Sequence, residues 1–164
     1  MSSEGGKRAT ILATLGQELR EMSAAGIMFH QAVADRLGMN VTDHKCADIL
    51  SRAGPLTAGE LAQHTGLTTG AITGVLDRLE RAGYVRRVHD PHDRRRVIIE
   101  PVLESIGREI GPLFVSLARK SAKLCERYTT KELELILDFI RRSYAMMYEE
   151  IRRIRGQEEF AGRK

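Results

Sequence analysis

The sequence predicts a mainly α-helical fold with one small β-hairpin and long helices at both ends, in a chain of 164 residues. Three observations lead there. Apolar residues recur at steps of three and four through most of the chain, the spacing that lines one face of a helix. The one stretch with a β signature runs from Tyr84 to Pro101, where Val85 and Val88 precede a turn and Val97 to Ile99 follow it. Aromatic residues are only 5% and Trp is absent, so the core must be built of Leu, Ile, Val, Met and Ala. With four prolines and no other strand-rich stretch, an all-β sandwich or barrel is disfavoured.

In chain order, residues 1–8 read as a frayed polar tail. A helical stripe follows through Leu12, Leu15, Leu19, Met22, Gly26, Phe29, Val33 and Leu37, and Gly38 is placed to stop it. Thr42 and Asp43 are placed to cap a second helix that carries Cys46, Ile49 and Leu50 and ends before Gly54-Pro55. Thr57 to Ala82 splits at Gly66 into a short helix and a longer one, and the hairpin comes next. Beyond it, Ile106, Ile110, Leu113, Leu117, Ser121, Leu124 and Tyr128 form one stripe that Pro112 can bend. Thr129 and Glu132 make a capping-box pattern for the last helix. There Leu133, Leu137, Ile140, Tyr144, Met147, Ile151 and Ile154 step as heptads, which reads equally as a seam between helices or as an intramolecular core stripe.

The long flanking helices have no globular core of their own to cover, and a lone copy would leave their apolar faces wet. Pairing of two copies through the joined N- and C-terminal helices solves this. The expected organisation is therefore a first helix of a dimerisation domain (1–40), a compact central unit (41–101) and the remaining helices of the dimerisation domain (102–164).

Composition narrows the function classes. The net charge of +4 permits a polyanionic partner without requiring one. Cys46 and Cys125 form neither a zinc-ligand pattern nor a disulfide framework. The N-terminus lacks the apolar run of a signal peptide, and no window is apolar enough to span a membrane. The cytoplasm is the expected compartment, with no membrane partner. No nucleophile–base constellation, metal cluster or phosphate-binding glycine loop stands out, so neither an enzyme nor a cofactor is expected.

The central unit carries the informative chemistry. From Leu61 to Val75 the spacing is that of two helices joined by a tight turn: Ala62 is small where the helices approach, Gly66 supplies the turn, and Ile72 and Val75 pack the second helix back on the first. Ile72, Val75, Leu76 and Leu79 claim one face of that helix. The other begins with Thr68 and Thr69 and continues through Thr73, Gly74, Asp77 and Arg78. Small hydroxyl and glycine residues near a helix N-terminus let its backbone sit deep in a major groove, where hydroxyls meet base edges or phosphates. Thr68 reads either as a helix cap alone or as cap and contact together. In the hairpin, residues 86–96 hold five arginines against two aspartates, with Asp90-Pro91 starting the turn. An arginine-tipped hairpin directly after such a helix can reach the adjacent minor groove. Arg95 is the expected contact, with Asp93 orienting its guanidinium. Placement matters more than total charge, because residues 41–101 carry nine basic against eight acidic side chains.

Gly54-Pro55-Leu56-Thr57, the two-helix motif, the run from Val75 to Arg87 and Asp90-Pro91-His92-Asp93-Arg94-Arg95 together resemble the MarR family of bacterial regulators, over roughly residues 42–100. The resemblance implies a winged helix-turn-helix homodimer on pseudo-palindromic double-stranded DNA. Members act usually as repressors and sometimes as activators, often released by small aromatic or anionic ligands or by oxidation. The DNA-facing set is then Thr68, Thr69, Thr73, Arg78, Arg86, Asp93, Arg94 and Arg95. The family's effector cavity lies between the dimer helices and the winged domain, which nominates Phe29, His30, His44 and Cys46, with Met28 beside them. Each has a plainer reading: Met28 and Phe29 as core, His44 and Lys45 as solvated, Cys46 as an inert small hydrophobe. His89, Asp90, His92 and Asp93 are too local to make a metal site, and none is expected.

The chain departs from the family pattern in three places. Gly74 replaces a larger, often basic, residue. Pro101-Val102 stands after the second wing strand, where Pro101 is expected to open the next helix by its preset φ. The first helix holds no cysteine, which weakens an oxidation-sensing reading. A winged helix that has lost DNA for a protein partner would lack the arginine tip and the small polar groove face, and both are present here.

Overall fold

A computed structural model describes residues 2–93 and 95–156; Arg94 lies outside them. The elements in order are α1 (Ser2–Arg36), α2 (Val41–Ala53), β1 (Leu56–Thr57), α3 (Ala58–Thr65), α4 (Thr69–Arg81), β2 (Val85–His89), β3 (Val97–Pro101), α5 (Leu103–Glu109), α6 (Gly111–Cys125) and α7 (Thr130–Ile154). The chain divides into two units, Met1–Phe114 and Val115–Lys164.

The core of the first unit is built by α2, α3, α4 and the sheet. Leu50, Leu61, Ile72, Leu76, Leu79 and Ile99 are fully buried there, joined by Val33 of α1 and by Tyr84 and Val85. The sheet is antiparallel in the order β1-β3-β2, with Leu56 opposite Ile99 and Arg87 opposite the same residue from the other side. Strand β1 is two residues long, too short to leave a period-2 pattern, and the sequence reading missed it. It ends at Thr57, which caps α3: its N–H and hydroxyl both donate to Glu60 Oε2 at 2.7 Å, and Glu60 N–H donates back to Thr57 Oγ1. Gly66 then turns the chain at φ 75°, a conformation that costs any residue with a Cβ.

Several boundaries differ from expectation. Residues 2–8 are not a frayed tail, because α1 already begins at Ser2. Extending a long helix costs far less than nucleating one, and Glu4 favours the positive end of the helix dipole. The cap of α2 is Asn40 rather than Thr42 or Asp43, its side-chain oxygen accepting from Thr42 N–H at 2.8 Å. Pro101 closes β3 opposite Val85 instead of opening a helix, and Val102 N–H donates to Tyr84 O. In that register the proline nitrogen faces the side where β1 has already ended, so no ladder bond is lost. The stripe from Ile106 to Tyr128 is two helices, because Gly111-Pro112 withholds a donor where the turn would continue and Ile110 ends α5.

In the second unit α7 begins with the expected capping box, Thr129 N–H and hydroxyl donating to Glu132 Oε2. Within this unit its heptad positions do not form a buried stripe. Leu133 and Ile151 are half-buried, whereas Leu137, Ile140, Tyr144, Met147 and Ile154 are exposed. No described helix is long and apolar enough to cross a membrane.

Candidate nucleic-acid interface

Helix α4 divides into two faces. Ile72, Val75, Leu76 and Leu79 are buried against α2 and α3, while Thr69, Gly70, Thr73, Asp77 and Arg78 are exposed. The Thr68 hydroxyl accepts from Ala71 N–H at 3.2 Å, so it is the N-cap, and its side chain remains exposed. Thr73 donates its hydroxyl proton to Thr69 O at 3.0 Å, which leaves its oxygen lone pairs outward. Gly70 and Gly74 have no internal reason to be glycine. A Cβ at Gly70 would meet nothing within 4 Å, and one at Gly74 would lie 3.5 Å from the Arg78 side chain, an ordinary contact. Each glycine costs a helix roughly 0.5–1 kcal/mol against alanine. What they provide is room for another molecule close to the backbone.

The hairpin of β2 and β3 is a wing whose tip is shaped by its aspartates. Asp90 Oδ1 accepts from His92 N–H at 2.8 Å, and Asp93 Oδ1 accepts from Arg95 N–H at 3.0 Å. These bonds to backbone two residues on are the usual turn chemistry of aspartate. They correct one expectation, since Asp93 engages the backbone of Arg95 and not its guanidinium. The bonds from His92 and Asp93 N–H hold the Asp90 carboxyl below the ordinary aspartate range.

Geometry sorts the wing arginines. Arg86 donates to Glu100, its cross-strand partner, at 2.7 Å. Arg87 pairs with Asp77 at 2.6 Å and with Glu80, and its N–H also donates to Glu80, so it bolts the wing base to α4. Arg96 reaches Glu60 at 3.1 Å. Arg95 is exposed at the tip and makes no ion pair among the described residues. On α4, Arg78 gives Nε and Nη2 to the two oxygens of Asp43, each at 2.7 Å. The sequence reading had not singled out Arg87 or the Asp43 partner. Their signal was acidic residues on neighbouring elements, which spacing along one element does not display.

The four effector candidates separate as well. His30 Nδ1 lies 3.1 Å from His44 Nε2. His44 is buried rather than solvated, and burial, reinforced by His30, lowers its pKa. Phe29 packs edge-on against Phe114 with ring centroids 5.2 Å apart. Met28, read as core, is exposed instead. Cys46 is fully buried and its thiol is pushed up to about 11 by burial and by Asp43, so it is a poor nucleophile. A cavity of about 540 Å³ between α1, α2 and α3 is lined by Ile27, His30, Val41, Thr42, Lys45 and His64, among others. Of the four candidates only His30 reaches it; Lys45 and His64 supply polar groups the sequence reading did not place there. Among the described residues no three His, Cys, Asp or Glu side chains converge to hold a metal.

Residues 37–96 match the sequence profile of the MarR family. The HTH-type transcriptional regulator YcgE of Bacillus subtilis is 47% identical over 148 residues, covering 90% of this chain and 96% of that protein. The chain belongs to the MarR family. Another relative, the HTH-type transcriptional repressor Mb2911 of Mycobacterium bovis, is 30% identical over 114 residues, 70% of this chain and 73% of its own. The structure of a MarR family protein from Bacillus stearothermophilus superposes with a TM-score of 0.66 at 25% identity, over 84% of this chain and 96% of that one. As a MarR family member this chain is a DNA-binding transcriptional regulator and not an enzyme, and its α3–α4 pair with the β2–β3 hairpin is a winged helix-turn-helix.

Proposed function

We propose that two copies of this chain bind a pseudo-palindromic operator in the cytoplasm and repress transcription until a small aromatic or anionic molecule releases them. Each α4 enters a major groove with Thr68, Thr69 and Thr73 toward base edges and phosphates. Each wing sets Arg95, and Arg94 beside it, into the flanking minor groove, while Asp93 shapes the tip. Arg86, already shared with Glu100, reaches a phosphate from the wing base. The observation that carries this reading is the outer face of α4, hydroxyls and two glycines that the fold does not require, beside an arginine tip without an internal ion pair among the described residues.

Pairing is supported by the apolar residues exposed on α1 and α7, including Ile11, Leu12, Ile140 and Tyr144, which a second copy would cover. The α1–α2–α3 cavity has the volume of a small-molecule site, and Lys45 and His64 on a wall that mixes apolar Ile27, Val41 and Leu67 with Ser23, His30 and Thr42 suit a carboxylate on an aromatic ring. Selection of bound DNA from a random pool tests the central claim. The expected product is a motif with two-fold symmetry and half-sites one helical turn apart. A pool that enriches no such motif overturns it.

A further inference from the structure

Asp43 is a carboxylate almost wholly removed from solvent, 4% exposed, in the first turn of α2. Both of its oxygens are taken by one guanidinium, that of Arg78 on α4, 35 residues away, at 2.7 Å each. A side-on fork of this kind fixes direction as well as distance, because two parallel bonds lock the plane of the guanidinium to the plane of the carboxylate. The Arg78 side chain is itself half exposed, so its charge does not require Asp43 for solvation. Asp43, by contrast, is costly without its partner. Nor is the pair needed to fill space, since apolar side chains of similar volume would pack α2 against α4 at least as stably. Apolar packing of Ile72, Val75, Leu76 and Leu79 sets which face of α4 is buried, and the fork adds a directional bond that narrows the helix's rotation about its own axis. That rotation decides which way Thr69 and Thr73 point.

We propose that Asp43 is a positioning residue for DNA reading, which acts through Arg78 to hold α4 at the rotation where its groove-facing side chains meet base edges. The proposal rests on the DNA reading above and reassigns Arg78 from the DNA-facing set to a strut. Two of its five N–H groups are committed to Asp43, and the fork draws the guanidinium toward α2. A strut and a phosphate contact differ in what they do to specificity. Losing a phosphate contact weakens binding to every sequence and reduces the slope of log K against log salt by about one. Losing a strut weakens only the selected site, by about tenfold, the order of one mismatched base pair, and leaves the slope alone.

The experiment compares the parent chain with D43N, R78Q, R78K and the D43N/R78Q double variant, on the selected operator and on a scrambled duplex of equal length, across a salt series. D43N and R78Q each lose about tenfold on the operator and stay within about twofold on the scrambled duplex. The double variant loses no more than the worse single one, and the salt slopes are unchanged. R78K keeps the charge against Asp43 without the fork and so folds, and it shows the same loss of operator preference. An R78Q that weakens both duplexes alike and flattens the salt slope identifies Arg78 as a phosphate contact and overturns the proposal. So does a D43N or R78K that binds both duplexes as the parent does. A parent that enriches no operator at all overturns the DNA reading, and this inference with it.

Discussion

Five arginines between residues 86 and 96 look alike in the sequence, and the fold gives the four described ones different work. Arg87 is tied to Asp77 and Glu80, Arg86 to Glu100 and Arg96 to Glu60, whereas Arg95 stands at the tip. That a wing tip carries arginine was legible; which arginines pair with acids was not, because those partners sit on α3, α4 and the opposite strand. The difference is measurable. Arg95→Ala should leave the denaturation midpoint unchanged while lowering operator affinity and reducing the salt slope by about one. Arg87→Ala should destabilise the chain by about 0.5–1 kcal/mol, because it removes a cation shared by Asp77 and Glu80 whose partly exposed pairs water screens. Equal midpoints for both variants would contradict this division. The cysteines make a parallel case. With Cys46 buried and its thiol pushed up to about 11, a maleimide at neutral pH should label the exposed Cys125 first and Cys46 only on unfolding. Prompt labelling of two thiols in the folded protein would reopen an oxidation-sensing role.

Among the elements, those defined by a cap or a long period were readable. Thr129 with Glu132 announces α7, and Gly66 marks the turn between α3 and α4. What escaped was set by partners rather than by local pattern: a two-residue β1 that exists because β3 pairs with it. The contact between α1 and α2 belongs to the same class, since His30 and His44 are 14 residues apart and meet only through packing. It has a consequence for pH. Burial lowers the pKa of His44 from 6.5, and His30 and Lys45 act in the same direction against Asp48, while Phe114 of α6 faces it without a charge. As pH falls, the unfolded chain therefore takes up this proton before the folded one does. Stability is whole above pH 6.5 and is lost as the pH drops toward the lowered folded value. Between about pH 7.5 and 5 the parent should lose more stability in denaturant titrations than His44→Phe, which has no proton to take up. Parallel curves for the two would remove His44 from the account.

At the scale of the molecule, the heptad step through α7 was visible in the sequence, but not what it packs against, since an internal stripe and a seam between copies share one spacing. Leu137, Ile140, Tyr144 and Met147 are exposed on α7, and Ile11, Leu12 and Leu15 are exposed on α1. Exposed apolar residues along a helix face favour association. If a second copy covers it, two α4 helices are presented together and each half-site contributes to one binding event. Ile140→Glu, alone or with Leu137→Glu, places a charge in the seam and should convert the dimer to monomer in sedimentation. The melting temperature of the parent should rise with protein concentration and that of the variant should not. Operator affinity should fall far more than affinity for a single half-site, because the loss is in pairing rather than in the groove. A variant that remains dimeric with full operator affinity would move the interface off α7 and leave its exposed face without an assigned partner.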